Sequence, residues 1–255
     1  LGLQHPHDGA LFPGMTDVKD LAADMGDNEL NQRMFSIMSY NGWWSGWTRN
    51  FALPESFTYG YYATPMALDI AALQYLYGAN TTTNPGNNDY VLPDANQVGT
   101  SFQSIWDTGG WDRIVYGGSG DATIDLRPAT HKNEEGGGGR VSRVDGIDGG
   151  FTIAGDFTNV LPNQNTEIGV IIEGAIGGSG NDTIHGNDVD NQLHGNDGMD
   201  VIRGWGGADI IDGGRDTDYL YGGDGADTIY GGADRDALNG DTDYIYGGAG
   251  NDTLN

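Results

Sequence analysis

The chain contains no cysteine, which excludes a disulfide framework and any thiol chemistry. It is short of positive charge: 11 Lys and Arg stand against 37 Asp and Glu, a net charge of −26 over 255 residues. Such a surface excludes nucleic acid and anionic membranes as natural partners. No apolar run approaches the ~18 residues that a membrane-spanning helix needs, so no membrane insertion is expected. The opening residues are not expected to form a cleavable leader. The shortage of cations is sharpest at the C-terminal end. Residues 177–255 hold 16 Asp and 3 Arg, with no Glu and no Lys. Self-repulsion at that density opposes compaction, so this segment should fold only when cations neutralise it.

What the segment does have is a repeat of nine. In register it runs GGSGNDTIH, GNDVDNQLH, GNDGMDVIR, GWGGADIID, GGRDTDYLY, GGDGADTIY, GGADRDALN, a shortened GDTDYIY, and GGAGNDTLN. The eighth position is always aliphatic: Ile184, Leu193, Ile202, Ile211, Leu220, Ile229, Leu238, Ile245 and Leu254. A disordered glycine-rich tract has no reason to keep that position apolar. The first six residues suit a turn, because glycine visits positive φ without steric penalty. The last three suit a short strand whose middle side chain faces inward. Two repeats make one coil, so turns stack along both edges of a roll. The general pattern G-G-x-G-x-D-x-U-x is that of a calcium-binding parallel β-roll. One turn supplies about half of the six to eight oxygens that Ca²⁺ takes, and the turn two repeats along supplies the rest. The candidate ligands lie at positions two, four and six: Gly178, Gly180 and Asp182; Asn196, Gly198 and Asp200; Trp205, Gly207 and Asp209; Gly214, Asp216 and Asp218; Gly223, Gly225 and Asp227; Gly232, Asp234 and Asp236; Gly248, Gly250 and Asp252. Asn191 is the one departure from Asp at position six. Extracellular calcium modules bind at about 10⁻⁴–10⁻³ M, which points to a secreted protein that folds outside the cell. Both ends read as cut, since the chain opens on Leu1 and stops at Asn255 within a repeat. A fragment is expected.

The opening LGLQHP resembles the end of the metzincin zinc signature H-E-x-x-H-x-x-G-x-x-H, with Gly2 at its glycine and His5 as the third zinc ligand. Ser36-Ile37-Met38-Ser39-Tyr40 resembles the Met-turn of the serralysin branch. Both precede the nonapeptides in the order that serralysins keep. The resemblance implies that Met38 packs beneath the zinc histidines and that Tyr40 coordinates the metal or steadies the oxyanion. The remaining zinc ligands and the general-base Glu are expected upstream of Leu1, so these residues alone should be inactive.

Further downstream, Thr64-Pro65 reads as N-cap and first residue of a helix. Met66, Ile70, Leu73 and Tyr77 form its apolar stripe, and Gly78 its left-handed stop. The stretch resembles the last helix of the serralysin catalytic domain. Family calcium loops map onto Asn84, Gly86 and Asn88, and onto Asp107, Gly109, Gly110 and Asp112, with Ile171 and Glu173 completing the second. None of these loops fits the EF-hand template. Thr123–Leu126 and Gly150–Ile153 read as strands, and the loop at Glu134-Glu135-Gly136 as mobile. His7, His131, His185 and His194 have no metal-ligand spacing.

The fold expected is the α+β C-terminal part of a zincin catalytic domain (1–80), then linking strands and calcium loops (81–176), then an all-β parallel β-roll (177–255). The function implied is that of a secreted, calcium-dependent, monomeric zinc endopeptidase acting on protein and peptide substrates, with Zn²⁺ for catalysis and several Ca²⁺ in the roll. A non-catalytic calcium-binding scaffold or adhesin is the alternative.

Overall fold

The computed structural model describes residues 61–130, 139–155, 170–232, 244–251 and 253–254. Its first elements are β1 (Tyr61–Tyr62), α1 (Ala67–Tyr77), β2 (Asp89–Val91), β3 (Ser101–Ile105), β4 (Arg113–Val115), β5 (Ala122–Asp125), β6 (Ser142–Val144) and β7 (Gly150–Ile153). There follow β8 (Gly174–Ile176), β9 (Thr183–His185), β10 (Gln192–Asp197), β11 (Val201–Gly206) and β12 (Ile210–Arg215). The last are β13 (Tyr219–Asp224), β14 (Thr228–Tyr230), β15 (Tyr244–Ala249) and β16 (Thr253–Leu254). They form two sheets, one in the order β1-β3-β7-β6-β5-β9-β11-β13-β15 and the other β16-β14-β12-β10-β8-β4-β2. Pairing is parallel except where β6 lies antiparallel between β5 and β7.

From β8 onward, successive strands alternate between the sheets, and each pairs with the strand two places along. The register step is two repeats: Thr183 faces Val201, and Gln192 faces Ile210. This places the eighth positions from Ile184 to Ile229 on the inner face. Ile184, Leu193, Ile202, Ile211, Leu220 and Ile229 are all fully buried, in one file with Ile114, Ile124 and Ala175. The residues flanking them on β9 are half-buried, as alternation along a strand requires. Burying an Ile or Leu contributes about 1.5–3 kcal/mol, so the file supplies the apolar drive of an otherwise polar, glycine-rich segment.

Three features depart from the sequence reading. First, β10 to β13 are six residues long rather than three. Because turns stack directly on one another, ladder pairing continues into the turn, as at Asn196 with Gly214 and Trp205 with Gly223. Second, Tyr219 pairs with Tyr244 and Thr228 with Thr253. The step there is seven residues longer than the 18 of the preceding coils. Ile245 falls in register with Leu220, while Leu238 lies outside the described residues. Third, α1 starts at Ala67 with Met66 at the N-cap, and the Met66 N–H donates to Asp69 Oδ2 at 2.9 Å.

Thr64 is not the cap. Its hydroxyl accepts from the Ser104 N–H at 2.8 Å, which ties the approach of the helix to β3. Gly78 does end the helix, but at φ 82° and ψ 161°, outside the left-handed helical region. The expected stripe holds in part, with Met66 fully buried and Ile70 packed against the core. Among the described side chains of the N-cap and helix, Met66, Ala67, Leu68 and Ala71 are the buried apolar ones. Ile70 and Leu73 line a cavity of about 460 Å³ against Tyr90, Trp106 and Phe151, and Tyr77 at its mouth is 68% exposed.

Candidate calcium-binding turns

Along each edge of the stack runs a ladder of carboxylate-to-backbone hydrogen bonds. On one edge the Asp182 N–H donates to Asp200 Oδ1 at 2.7 Å, and the Asp200 N–H to Asp218 Oδ1 at 2.9 Å. On the other, the Asn191 N–H donates to Asp209 Oδ1 and the Asp209 N–H to Asp227 Oδ1, both at 2.9 Å. The sixth-position aspartate therefore spends one oxygen on the coil before it. The other oxygen turns back over the first glycine of its own turn. There it shares a spot with a carbonyl of the next coil: Asp200 Oδ2 with the Gly213 oxygen over Gly195, and Asp209 Oδ2 with the Gly222 oxygen over Gly204.

These second oxygens are buried and unbonded. Asp200 and Asp209 are 0% and 1% exposed, and Oδ2 of each has no hydrogen-bond partner. Burial raises the Asp200 pKa to about 8, with Asp182, Asp218 and Asp216 adding repulsion against the hydrogen bond from Asp182. Burial likewise raises Asp209 to about 7, with Asp227 and Asp190 adding to it. Asp182 moves the same way, through burial and then Asp121. A buried carboxylate oxygen without a donor is costly and is stabilised by a cation. A donor set of backbone carbonyls and single carboxylates suits Ca²⁺, a hard ion with flexible geometry, and is unlike the nitrogen and sulfur set of Zn²⁺. Among the described residues, no three His, Asp or Glu side chains converge as a metal cluster; the sites are built largely from backbone.

At position four of turn 222–227 glycine is a steric necessity. Gly225 has φ 144°, and any Cβ there would run into the Gly207 carbonyl. Asn196, Trp205 and Asp216 hold positive φ at 82°, 79° and 75°, although they are not glycine. Gly198, Gly214, Gly223, Gly232, Gly248 and Gly250 share positive φ, and all stack on backbone of the coil before. Gly178 and Gly180 lie instead over the carbonyls of Gly118 and Gly120.

The two loops ahead of the roll repeat the same construction. The Asn88 N–H donates to Asp112 Oδ1 at 2.7 Å, and the Asp112 N–H to Glu173 Oε2 at 2.8 Å. Asp112 Oδ2 is buried and unbonded, and Asp112 is 0% exposed. Gly110, at φ 143°, sits directly over the Gly86 carbonyl. Around Asn88 Nδ2 converge the Gly86 carbonyl, the Asn84 carbonyl at 3.5 Å, Asp107 Oδ2 at 3.5 Å and Asp112 Oδ1 at 3.4 Å. Gly109 closes the second loop by donating its N–H to Asp107 Oδ1 at 3.0 Å. Burial raises the pKa of Asp112, with Asp107 adding to it, and burial raises Glu173, with Asp112 and Asp107 behind it. Ile171 lies in the segment that delivers Glu173 to Asp112.

Two contributors escaped the sequence reading. Tyr90 donates its hydroxyl to Asp107 Oδ2 at 2.5 Å, and burial, followed by Asp107, raises its pKa. Residues 117–125, GGSGDATID, form a turn and strand of the same kind as the repeats. The Ala122 N–H donates to Asp182 Oδ1 at 2.7 Å, and Ile124 pairs with Ile184. The match to the nonapeptide was present in the sequence, but Ala stands at its sixth position and a long insertion separates it from the others. His5, Met38, Tyr40, Asp234, Asp236 and Asp252 lie outside the described residues, as does the loop at Glu134.

The model of the RTX calcium-binding nonapeptide repeat matches four times, over residues 175–188, 185–220, 212–243 and 239–255. A serralysin of Proteus mirabilis is 36% identical over 206 residues, covering 75% of this chain and 34% of the relative. Serralysin B of Dickeya chrysanthemi is 36% identical over 194 residues, 72% of this chain and 33% of its own length. Metallopeptidase AprA of Pseudomonas marginalis is 33% identical over 194 residues, 75% and 36% of the two chains. The chain thus spans about a third of the length of the curated relatives it matches. With its stacked glycine turns and buried aspartates, it is a serralysin-type protein with RTX calcium-binding repeats.

Proposed function

We propose that the chain is part of a secreted zinc endopeptidase whose C-terminal roll is assembled by calcium. The observation that carries this reading is the reach of the likeness. Residues 175–255 are under a third of the chain, whereas the similarity to serralysins covers 75% of it. A bare calcium-binding scaffold would share the repeats and little else. In this reading His5 supplies one zinc ligand, Met38 packs under the metal, and the Tyr40 hydroxyl donates to the oxyanion as a peptide carbonyl is attacked. Zinc, when bound, polarises that carbonyl and activates water. The calcium ligands are the turn residues named above together with the loops at Asn84–Asn88, Asp107–Asp112 and Glu173. The linking strands and the roll share two continuous sheets, which favours their acting as one calcium-dependent body.

The test is casein hydrolysis by the full-length gene product in calcium, with and without a zinc-selective chelator. Hydrolysis that stops on zinc removal and returns on zinc addition supports the reading. Hydrolysis indifferent to zinc overturns it.

A further inference from the structure

Turn 186–191 has the stacking of its neighbours but not their chemistry. Its sixth residue, Asn191, is 1% exposed, and every polar atom of its side chain is used. Oδ1 accepts the Asn187 N–H at 2.8 Å, while Nδ2 donates to the Glu173 carbonyl at 3.3 Å and to Asn187 Oδ1 at 3.1 Å. Asn187, 7% exposed, is equally occupied. Its Nδ2 donates to the Ile172 carbonyl at 2.9 Å and the Leu126 carbonyl at 3.3 Å, and its Oδ1 also accepts the Val189 N–H at 3.2 Å. In turns 195–200 and 204–209 the matching spot holds a buried carboxylate oxygen with no partner. Here it holds a neutral amide whose bonds are complete.

From this contrast we infer that turn 186–191 binds no calcium, and that the amides of Asn187 and Asn191 take the cation's place. An amide NH₂ presents two donors with partial positive charge, which is what converging carbonyl oxygens require. A cation entering this turn would have to displace both amides, and it would meet no buried carboxylate from the turn itself, since Asp188 and Asp190 are exposed. The amide pair also joins three separate stretches: the end of β5 at Leu126, the segment at Ile172 and Glu173, and the turn ahead of β10. A fully satisfied buried polar network of this kind fixes one arrangement. The first coil of the roll is therefore latched to the preceding strands without metal, and calcium adds coils to an existing edge. The inference rests on calcium binding by the other turns and not on peptidase activity, so an inactive protein leaves it standing.

The experiment counts calcium bound per chain by equilibrium dialysis against ⁴⁵Ca²⁺ for the native chain, Asn191→Asp, and the double variant Asn187→Gly/Asn191→Asp. The double variant supplies the position-six aspartate of the other turns and removes the Asn187 amide, and it should bind one calcium more than the native chain. An unchanged count in a folded double variant overturns the inference. Hydrogen exchange on the native chain during a calcium titration tests it without substitution. Protection of the Asn187 N–H, which is bonded within the turn, should appear at lower calcium than protection of Asp182 and Asp200, whose N–H groups are bonded to later coils. Protection at the same or higher calcium overturns the latch.

Discussion

Removing calcium at two pH values should give opposite results. Take the folded roll with Asp200 at about 8 and Asp209 at about 7, against an ordinary aspartate value of 3.8. A carboxyl whose folded pKa is raised opposes folding above its unfolded pKa. The penalty grows with pH until the folded pKa is passed, and it vanishes below the unfolded value. At pH 7.5 the gap is about 3.7 pKa steps for Asp200 and about 3.2 for Asp209, at roughly 1.4 kcal/mol per step. Together they cost about 9 kcal/mol, and because the two lie on opposite edges in separate ladders, the effects should add. A domain's whole stability is only about 5–15 kcal/mol. The chelated roll should therefore lose its β structure at pH 7.5, and regain much of it as the pH falls toward 4.5 and both groups protonate. Calcium at pH 7.5 should restore it by stabilising the ionised forms. Circular dichroism in excess chelator from pH 8 to 4.5, with a calcium-loaded control, reads this directly. A chelated spectrum that is β-rich at pH 7.5, or no gain on acidification, would refute the reasoning.

Three other outcomes are expected. Asp209→Asn should raise the calcium midpoint for folding by tenfold or so, yet make the chelated roll easier to fold at neutral pH, because a buried charge is gone; calcium titrations followed by circular dichroism separate the two effects. Gly225→Ala should destabilise by several kcal/mol, on the order of the largest single-residue effects, whereas Gly206→Ala, whose added Cβ meets nothing closer than 3.6 Å, should be tolerated, and matched thermal melts in calcium distinguish them. In the full-length product, Tyr40→Phe should lower kcat with little change in KM, as for an interaction made in the transition state; steady-state kinetics with a peptide substrate would show otherwise if Tyr40 only packs.

The core of the roll was legible because two rules agreed on the same residues: glycine at the bends and an aliphatic residue two places after each aspartate. Ile184 through Ile229 are buried as that agreement requires. The antiparallel strand β6 was not legible, since Ser142-Arg143-Val144 carries no apolar alternation and owes its place to β5 and β7 on either side. The helix stripe held only in part: Met66 is fully buried and Ile70 packs against the core beside Ala67, whereas Leu73 lines a cavity and Tyr77 is exposed. The kinship of Asp112 and Glu173 with the sixth-position aspartates was hidden by spacing. Their bonds span 24 and 61 residues where the regular coils use 18, so no search at a fixed period finds them.

The two carboxylate ladders give the roll a direction. The sixth-position N–H groups of Asp182, Asn191, Asp200 and Asp209 are each satisfied by a side chain that comes later in the chain. Cutting coils from the N-terminal side strips a donor from an aspartate, and water replaces it. Cutting from the C-terminal side removes the acceptor of a buried N–H and also the carbonyl that shares the spot with the orphaned carboxylate oxygen. Truncations of equal length from the two ends are therefore unequal, and the roll frays from its C-terminal edge.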